Sequence, residues 1–164
     1  MNNELYNNSL VTKFDNKTLQ DCNEYKDSFL QKNNLENFIM REENWVKNNL
    51  TFIYSKESCN VQLRINPYYQ LINCSIEDNG STITREYILL PRYLALKELH
   101  IHAGWLDNAD LLIKIMINYC DSFTYNEITD KVLSSSNPDR REELNTRLQV
   151  MIRKFLSYQY LVID

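Results

Sequence analysis

"ELHIHAGW", residues 98–105, holds both histidines of the chain, His100 and His102, and Gly104, one of its two glycines. How this stretch is read decides what joins the middle of the chain to its C-terminal third. Pro91 suits the first turn of a helix, where its missing N–H costs nothing, and Gly104 suits the position just past a helix end, where a left-handed backbone is common. Together they predict a short helix from Pro91 to Ala103, closed by Gly104. On a helix, residues two apart point about 200° from each other, so the two histidines could not chelate one ion; on a strand they would share a face.

Upstream, the pattern is that of strands. "TFIYS", "VQLRIN", "YYQLINCSI" and "STITREYILL" are rich in β-branched and aromatic residues and are separated by polar turns. Asp78-Asn79-Gly80 is the sharpest local signal, because Asn and Gly tolerate the positive φ of a tight hairpin turn; it predicts residues 68–76 pairing antiparallel with 82–90. Before the strands, Leu19, Cys22, Phe29, Leu30, Leu35, Phe38, Ile39 and Val46 fall at helical spacings, predicting two helices over 17–50 with a break near Asn33-Asn34. Residues 1–15 lack a period and read as a loose arm.

Downstream, three helix signals follow in succession. Asp107 and Asp110 resemble a capping pair before "LLIKIMINYC", Thr124 and Glu127 form a T-x-x-E capping box before "ITDKVL", and Asn137-Pro138 supplies an N-cap and an N1 proline. In the last helix Leu144, Leu148, Met151, Ile152 and Phe155 make one apolar stripe. "YQYLVID" then reads as a short strand. Helices ended by a strand outline a winged-helix-like, three-helix unit over residues 106–164. The expected fold class is α+β: N-terminal helices (16–49), a β-rich stretch with a small antiparallel sheet and hairpin (50–90), and a helical, winged-helix-like part (91–164), taken as a single domain over 16–164.

The 164 residues are enough for a core that needs no disulfide. Four cysteines, Cys22, Cys59, Cys74 and Cys120, are scattered without a C-x-x-C pair, and no basic, apolar signal segment is read at the N-terminus, so a reduced, cytoplasmic protein is expected. A formal charge of −4 argues against bulk attraction to nucleic acid or an anionic membrane. No apolar run approaches the ~20 residues of a membrane span. The many asparagines, as in "MNNELYNN", "QKNNLENF" and "VKNNL", read as compositional bias with little function.

Chemical motifs are sparse. His100 and His102 are the weak metal alternative, with Cys59, Cys74, Glu98 and Asp107 as conceivable co-ligands, but no H-E-x-x-H or paired-Cys motif accompanies them. A Cys–His nucleophile is chemically conceivable, yet Cys120 lies beside Met116 and Ile117 on an apolar helix and reads as core. Two glycines cannot build a Gly-rich phosphate cradle, which removes ATPase, GTPase and nicotinamide-dependent readings. No cofactor is expected and no catalytic residue is assigned.

Binding remains. The helix "PDRREELNTRLQVMIRKFL" carries Arg140, Arg141, Arg147, Arg153, Lys154, Asn145 and Gln149, types suited to phosphates and base edges, diluted by Asp139, Glu142 and Glu143. Over 50–90, an unpaired sheet edge could accept an extended peptide through backbone hydrogen bonds, with Tyr54, Tyr68, Tyr69 and Tyr87 as amphipathic contact surface. The order of antiparallel strands followed by a winged unit, from "STITREYILL" to "RLQVMIRKFLSYQYLVID", resembles the PqqD-like domains that hold leader peptides for enzymes modifying ribosomally made peptides. That resemblance covers at most the last 110 residues. It implies a peptide gripped between the third strand and third helix, near Tyr87 and Arg147. The expected function is therefore a non-enzymatic protein- or peptide-binding adaptor with Tyr69, Tyr87, Arg140 and Arg147 as binding residues. The alternatives are a winged-helix DNA-binding regulator and a small inhibitor from phage or bacterial conflict acting by protein binding.

Overall fold

A computed structural model describes residues 5–7, 10–12, 16–55, 60–107, 122–134 and 136–164. The elements are β1 (Leu5–Asn7), β2 (Leu10–Thr12), α1 (Asn16–Lys32), α2 (Leu35–Tyr54), β3 (Gln62–Ile65), β4 (Gln70–Asp78), β5 (Ser81–Arg92), β6 (His100–Trp105), β7 (Phe123–Thr124), α3 (Tyr125–Ser134), a 3-10 turn (Pro138–Arg140), α4 (Arg141–Ser157) and β8 (Leu161–Val162). The class is mixed α+β, as the sequence predicts. Residues 16–164 read as one domain from sequence; the chain groups into two compact units that interleave along it, one of residues 1–42 and 67–112 and one of 43–66 and 113–164.

The first unit is built on the antiparallel sheet β4-β5-β6. Its hairpin turns at Asn79 (φ 49°) and Gly80 (φ 80°), both left-handed, as a two-residue type I′ turn demands. The predicted pairing is present, with bounds shifted: Gln70 faces Leu89 and Asp78 faces Ser81. Tyr68 and Tyr69 precede the strand. Tyr68 instead packs edge-on against Phe29 and Phe38, with ring centroids 5.3 and 5.5 Å away, and its carbonyl accepts the Tyr25 hydroxyl. One face of the sheet meets α1: Cys22, with Leu19 and Tyr25 at helical spacing, packs on Cys74, Tyr87, Leu89, Ile101 and Ala103. Between α1 and α2, Asn34 accepts the Asn37 N–H at 2.9 Å, which caps α2 at the predicted break.

The helix expected from Pro91 to Ala103 is absent. β5 continues through Arg92, a turn occupies 93–99, and β6 returns antiparallel with Pro91 facing Ile101 and Arg92 facing His100. Gly104 is not a helix cap but a strand residue opposite Ile88; the left-handed residue of this turn is Lys97, φ 59°. Pro91 is tolerated for a definite reason. Leu106 donates to the Glu86 carbonyl at 2.9 Å, so even-numbered residues of β5 bond toward β6 and odd-numbered ones toward β4. The β4 ladder has stopped at Leu89, so the donor Pro91 lacks is not needed.

Within the N-terminal arm, β1 and β2 pair antiparallel, Tyr6 opposite Val11, where the sequence suggested no order.

In the second unit β3 is the middle strand of β7-β3-β8, antiparallel to both. α3 opens on the predicted capping box: Thr124 N–H donates to Glu127 Oε2 at 2.6 Å and Glu127 N–H to Thr124 Oγ1 at 3.2 Å. Asn137 caps the 3-10 turn that leads into α4. The α4 stripe buries Leu148, Ile152, Phe155 and Leu156. The predicted helix "LLIKIMINYC" lies outside the described residues.

α2 runs to Tyr54, so "TFIY" of the expected strand "TFIYS" is helical. Asparagines account for this. Asn49, buried, donates to the carbonyls of Leu156 and Leu161 (2.9 and 3.0 Å) and accepts the Ile163 N–H at 3.1 Å. Next to it Asn48 donates to the Ile163 carbonyl at 3.0 Å, and one turn earlier Trp45 Nε1 donates to Asp164 at 2.8 Å. Spacings of three and four residues put Trp45, Asn48 and Asn49 on one helix face, and that face clasps β8. Asn66, also buried, donates to the Gln159 carbonyl while its own N–H donates to Tyr160. The reading of asparagine as bias is thereby corrected: these amides satisfy buried backbone groups that would otherwise cost about 1–3 kcal/mol each.

Two substitutions separate these devices. No atom lies within 4 Å of a side chain placed at Gly80, so Gly80→Ala should cost only the backbone term, about 1 kcal/mol. Asn49→Leu strands two buried backbone groups, the Leu161 carbonyl and the Ile163 N–H, and takes one of two donors from the Leu156 carbonyl, so it should cost clearly more, on the order of 3 kcal/mol. Urea unfolding of the two variants checks the ranking.

Candidate functional site

β6 places His100 and His102 on one face, opposite Arg92 and Leu90. Beside them Glu42, fully buried, accepts Arg92 Nε at 3.1 Å and the backbone N–H groups of Tyr93 and Leu94 at 3.0 and 3.2 Å. The carboxylate thus ties α2 to the start of the β5–β6 turn. Burial pushes the His102 pKa down to about 4, with Arg92 and His100 adding in the same direction. Burial also lowers His100, where Arg92 adds to it and the Glu98 carbonyl, Glu42 and Glu98 oppose it. Both imidazoles are therefore neutral near pH 7. Sharing a strand face is the geometry the metal alternative needs, yet no group of three or more His, Cys, Asp or Glu converges on a metal-sized site among the described residues.

Cys22 and Cys74 are buried, and burial followed by the nearby Cys74 pushes the Cys22 thiol up to about 12. That is the reverse of what a nucleophile requires. Cys59 and Cys120 lie outside the described residues.

The four expected binding residues divide. Tyr87 is only 1% exposed and belongs to the core of the first unit, so it offers no contact surface. Tyr69 is half-buried in the link before β4. Arg140 and Arg147 are exposed on the second unit, but Glu143 lies 3.5 Å from the first and 2.6 Å from the second. One carboxylate thus offsets positive charge at the start of α4, which weakens the case for phosphate contacts there. Tyr87 and Arg147 fall in different units.

One surface escaped the sequence reading, and another falls within 50–90, where an unpaired sheet edge is expected. In the second unit a pocket of about 420 Å³ is lined by Gln62, Arg64, Ser122 and Asp164 among others. Arg64 and Asp164 pair at 2.6 Å and neutralise each other's charge. In the first unit β4 is an edge strand among the described residues. Because even-numbered β4 residues face the odd-numbered β5 residues that bond toward them, Leu71, Asn73, Ser75 and Glu77 direct their N–H and C=O groups outward. Gln70, Asn73 and Ser75 are exposed. No lysine, arginine or proline, the usual guards of an open edge, occurs along the strand.

Comparison with protein-family models, curated proteins and solved structures finds no significant match. Among the described residues no helix is long and apolar enough to cross a membrane.

The depressed His102 pKa has a signed consequence. Above its ordinary value of 6.5 neither folded nor unfolded chain is protonated there; as pH falls from 6.5 toward 4 the unfolded chain takes up the proton first, and stability is lost. The loss should reach up to roughly 3 kcal/mol and level off below the folded pKa. Urea midpoints across that range should fall less steeply in His102→Gln, and an NMR titration of His102 should centre near pH 4.

Proposed function

We propose that this protein is a non-enzymatic interaction module that takes up an extended segment of a partner protein or peptide along the outer edge of β4. The single observation that carries this reading is the open edge itself: nine residues, bonded on one side only among the described residues and without a lysine, arginine or proline. An added strand would meet outward backbone groups with its own, while the alternating side chains set selectivity. Cytoplasmic residence agrees with the scattered cysteines, two of them buried as thiols. The likeness to PqqD-like domains supports peptide uptake in general, although Tyr87 is not available as a contact. DNA binding through α4 is the weaker reading, because Glu143 already engages Arg140 and Arg147.

Lysines placed on the exposed positions, Asn73→Lys with Ser75→Lys, guard the edge as natural sheets do. Tagged wild-type protein should capture a partner from native lysate that the double variant does not, at equal thermal stability. A partner retained equally by both would overturn the reading. Duplex DNA should not be shifted in a low-salt gel assay; binding there that weakens in Arg147→Ala would put the DNA reading first.

A further inference from the structure

We propose that the pocket of the second unit binds a free α-amino acid with an aliphatic side chain, its carboxylate on Arg64 and the Gln62 N–H and its ammonium on Asp164 and the Gln62 carbonyl. The site is separate from the β4 edge and independent of what that edge binds. It arises where β8 leaves β3. The Asn66 N–H donates to the Tyr160 carbonyl, so even-numbered residues of β3 bond toward β8. Arg64, opposite Val162, is the last of them in the ladder. Beyond it Ile163 has turned to α2, its N–H on Asn49 and its carbonyl on Asn48. Gln62 therefore directs its main-chain N–H and C=O to the side that β8 has left, and the pocket of about 420 Å³ lies among Gln62, Arg64, Ile163 and Asp164. An amino acid carries a donor and an acceptor on either side of one carbon. That is the pair one strand residue offers its neighbour, so both groups of Gln62 are met by one small molecule.

The side chains call for the same ligand. Nε and Nη2 lie on one side of the Arg64 guanidinium, a two-donor fork that matches the oxygens of a carboxylate. Both nitrogens are buried, and neither has a hydrogen-bond partner among the described residues. Asp164 Oδ2 stands 2.6 Å from Nη2 and balances its charge without lying along its N–H bonds, while Trp45 Nε1 holds the other oxygen at 2.8 Å. Unbonded donors on a buried charge are costly, and a ligand carboxylate removes that cost. Asp164, with 53% of its side chain exposed, can shift off the fork toward solvent. Arg64 and Asp164 together carry no net charge, so a ligand with a single charge leaves one of them without a counter-charge. A zwitterion that enters between them turns one ion pair into two. Free amino acids hold both charges on one carbon, whereas each end of a peptide holds only one. Val61 and Ile163 add aliphatic lining for the side chain.

The chain has two tryptophans, so the indole N–H of Trp45, bonded to Asp164, gives an NMR signal that Trp105→Phe assigns. L-Leucine at millimolar concentration should shift this signal saturably in the full chain. Isocaproate, which is leucine without the amino group, and isopentylamine, which is leucine without the carboxylate, should shift it far less. Arg64→Lys keeps the charge but loses the fork, and its affinity for L-leucine should fall about tenfold or more. Asp164→Asn keeps an acceptor for Trp45 but removes the anion, so its preference should reverse, with isocaproate bound more tightly than L-leucine. No saturable shift with L-leucine, an equal response to the acid or the amine, or an unchanged preference in Asp164→Asn would each overturn the inference. Inorganic phosphate that shifts the signal as L-leucine does would overturn it too, by making the fork a general anion site.

Discussion

The first unit depends on a carboxylate that water never reaches. Glu42 is buried from α2, and its two oxygens meet a guanidinium nitrogen and two successive backbone N–H groups at the point where β5 ends. A buried charge of this kind is tolerated only when it is paired and hydrogen-bonded. The pairing fixes where the chain leaves β5, hence where β6 returns, and β6 carries both histidines and completes the sheet. The hairpin is held at the other end by a different device, a left-handed Asn-Gly step that needs no side-chain partner. Local backbone preference at one end and a long-range ion pair at the other together hold the strands that, among the described residues, leave β4 as an open edge.

This division explains what could be read in advance. The Asn79-Gly80 turn, the Thr124-Glu127 box, the Asn137 cap and the stripe of α4 are local, and each appears where residue types and spacing place it. The segment around "ELHIHAGW" is not local. At the base of β5, residues 87–91 are buried on both faces, so the alternation that marks a half-exposed strand is erased, and a run such as "YILLP" carries no period with which to reject a helix. Pro91 and Gly104 then look like the punctuation of a helix. What overrides them is Glu42, about fifty positions upstream, which no window of sequence can connect to Arg92.

A similar limit applies at the C-terminus. The chain turns from α4 into β8 through Gln159, which takes φ 59° without being glycine, and the Tyr160 N–H closes the turn on the Phe155 carbonyl. Asn66 and Asn49, distant in sequence, hold that turn and the strand after it. Asparagine so common in the chain gives no hint of which copies are buried. The edge of β4 was legible only as a general possibility. Its outward residues follow from strand order and from the Leu106–Glu86 bond, neither of which a single sequence supplies.

Pro91 has one more consequence, for the ways in which the hairpin could misfold. A strand that slips against its partner must move by two residues to keep its apolar side inward. Moving β4 so that pairing extends past Leu89 would ask the Pro91 nitrogen for a bond it cannot donate, and moving it the other way would pull apart the Asn79-Gly80 turn. The hairpin is therefore latched at both ends, and its alignment survives even where, among the described residues, the sheet lacks a strand on its outer side.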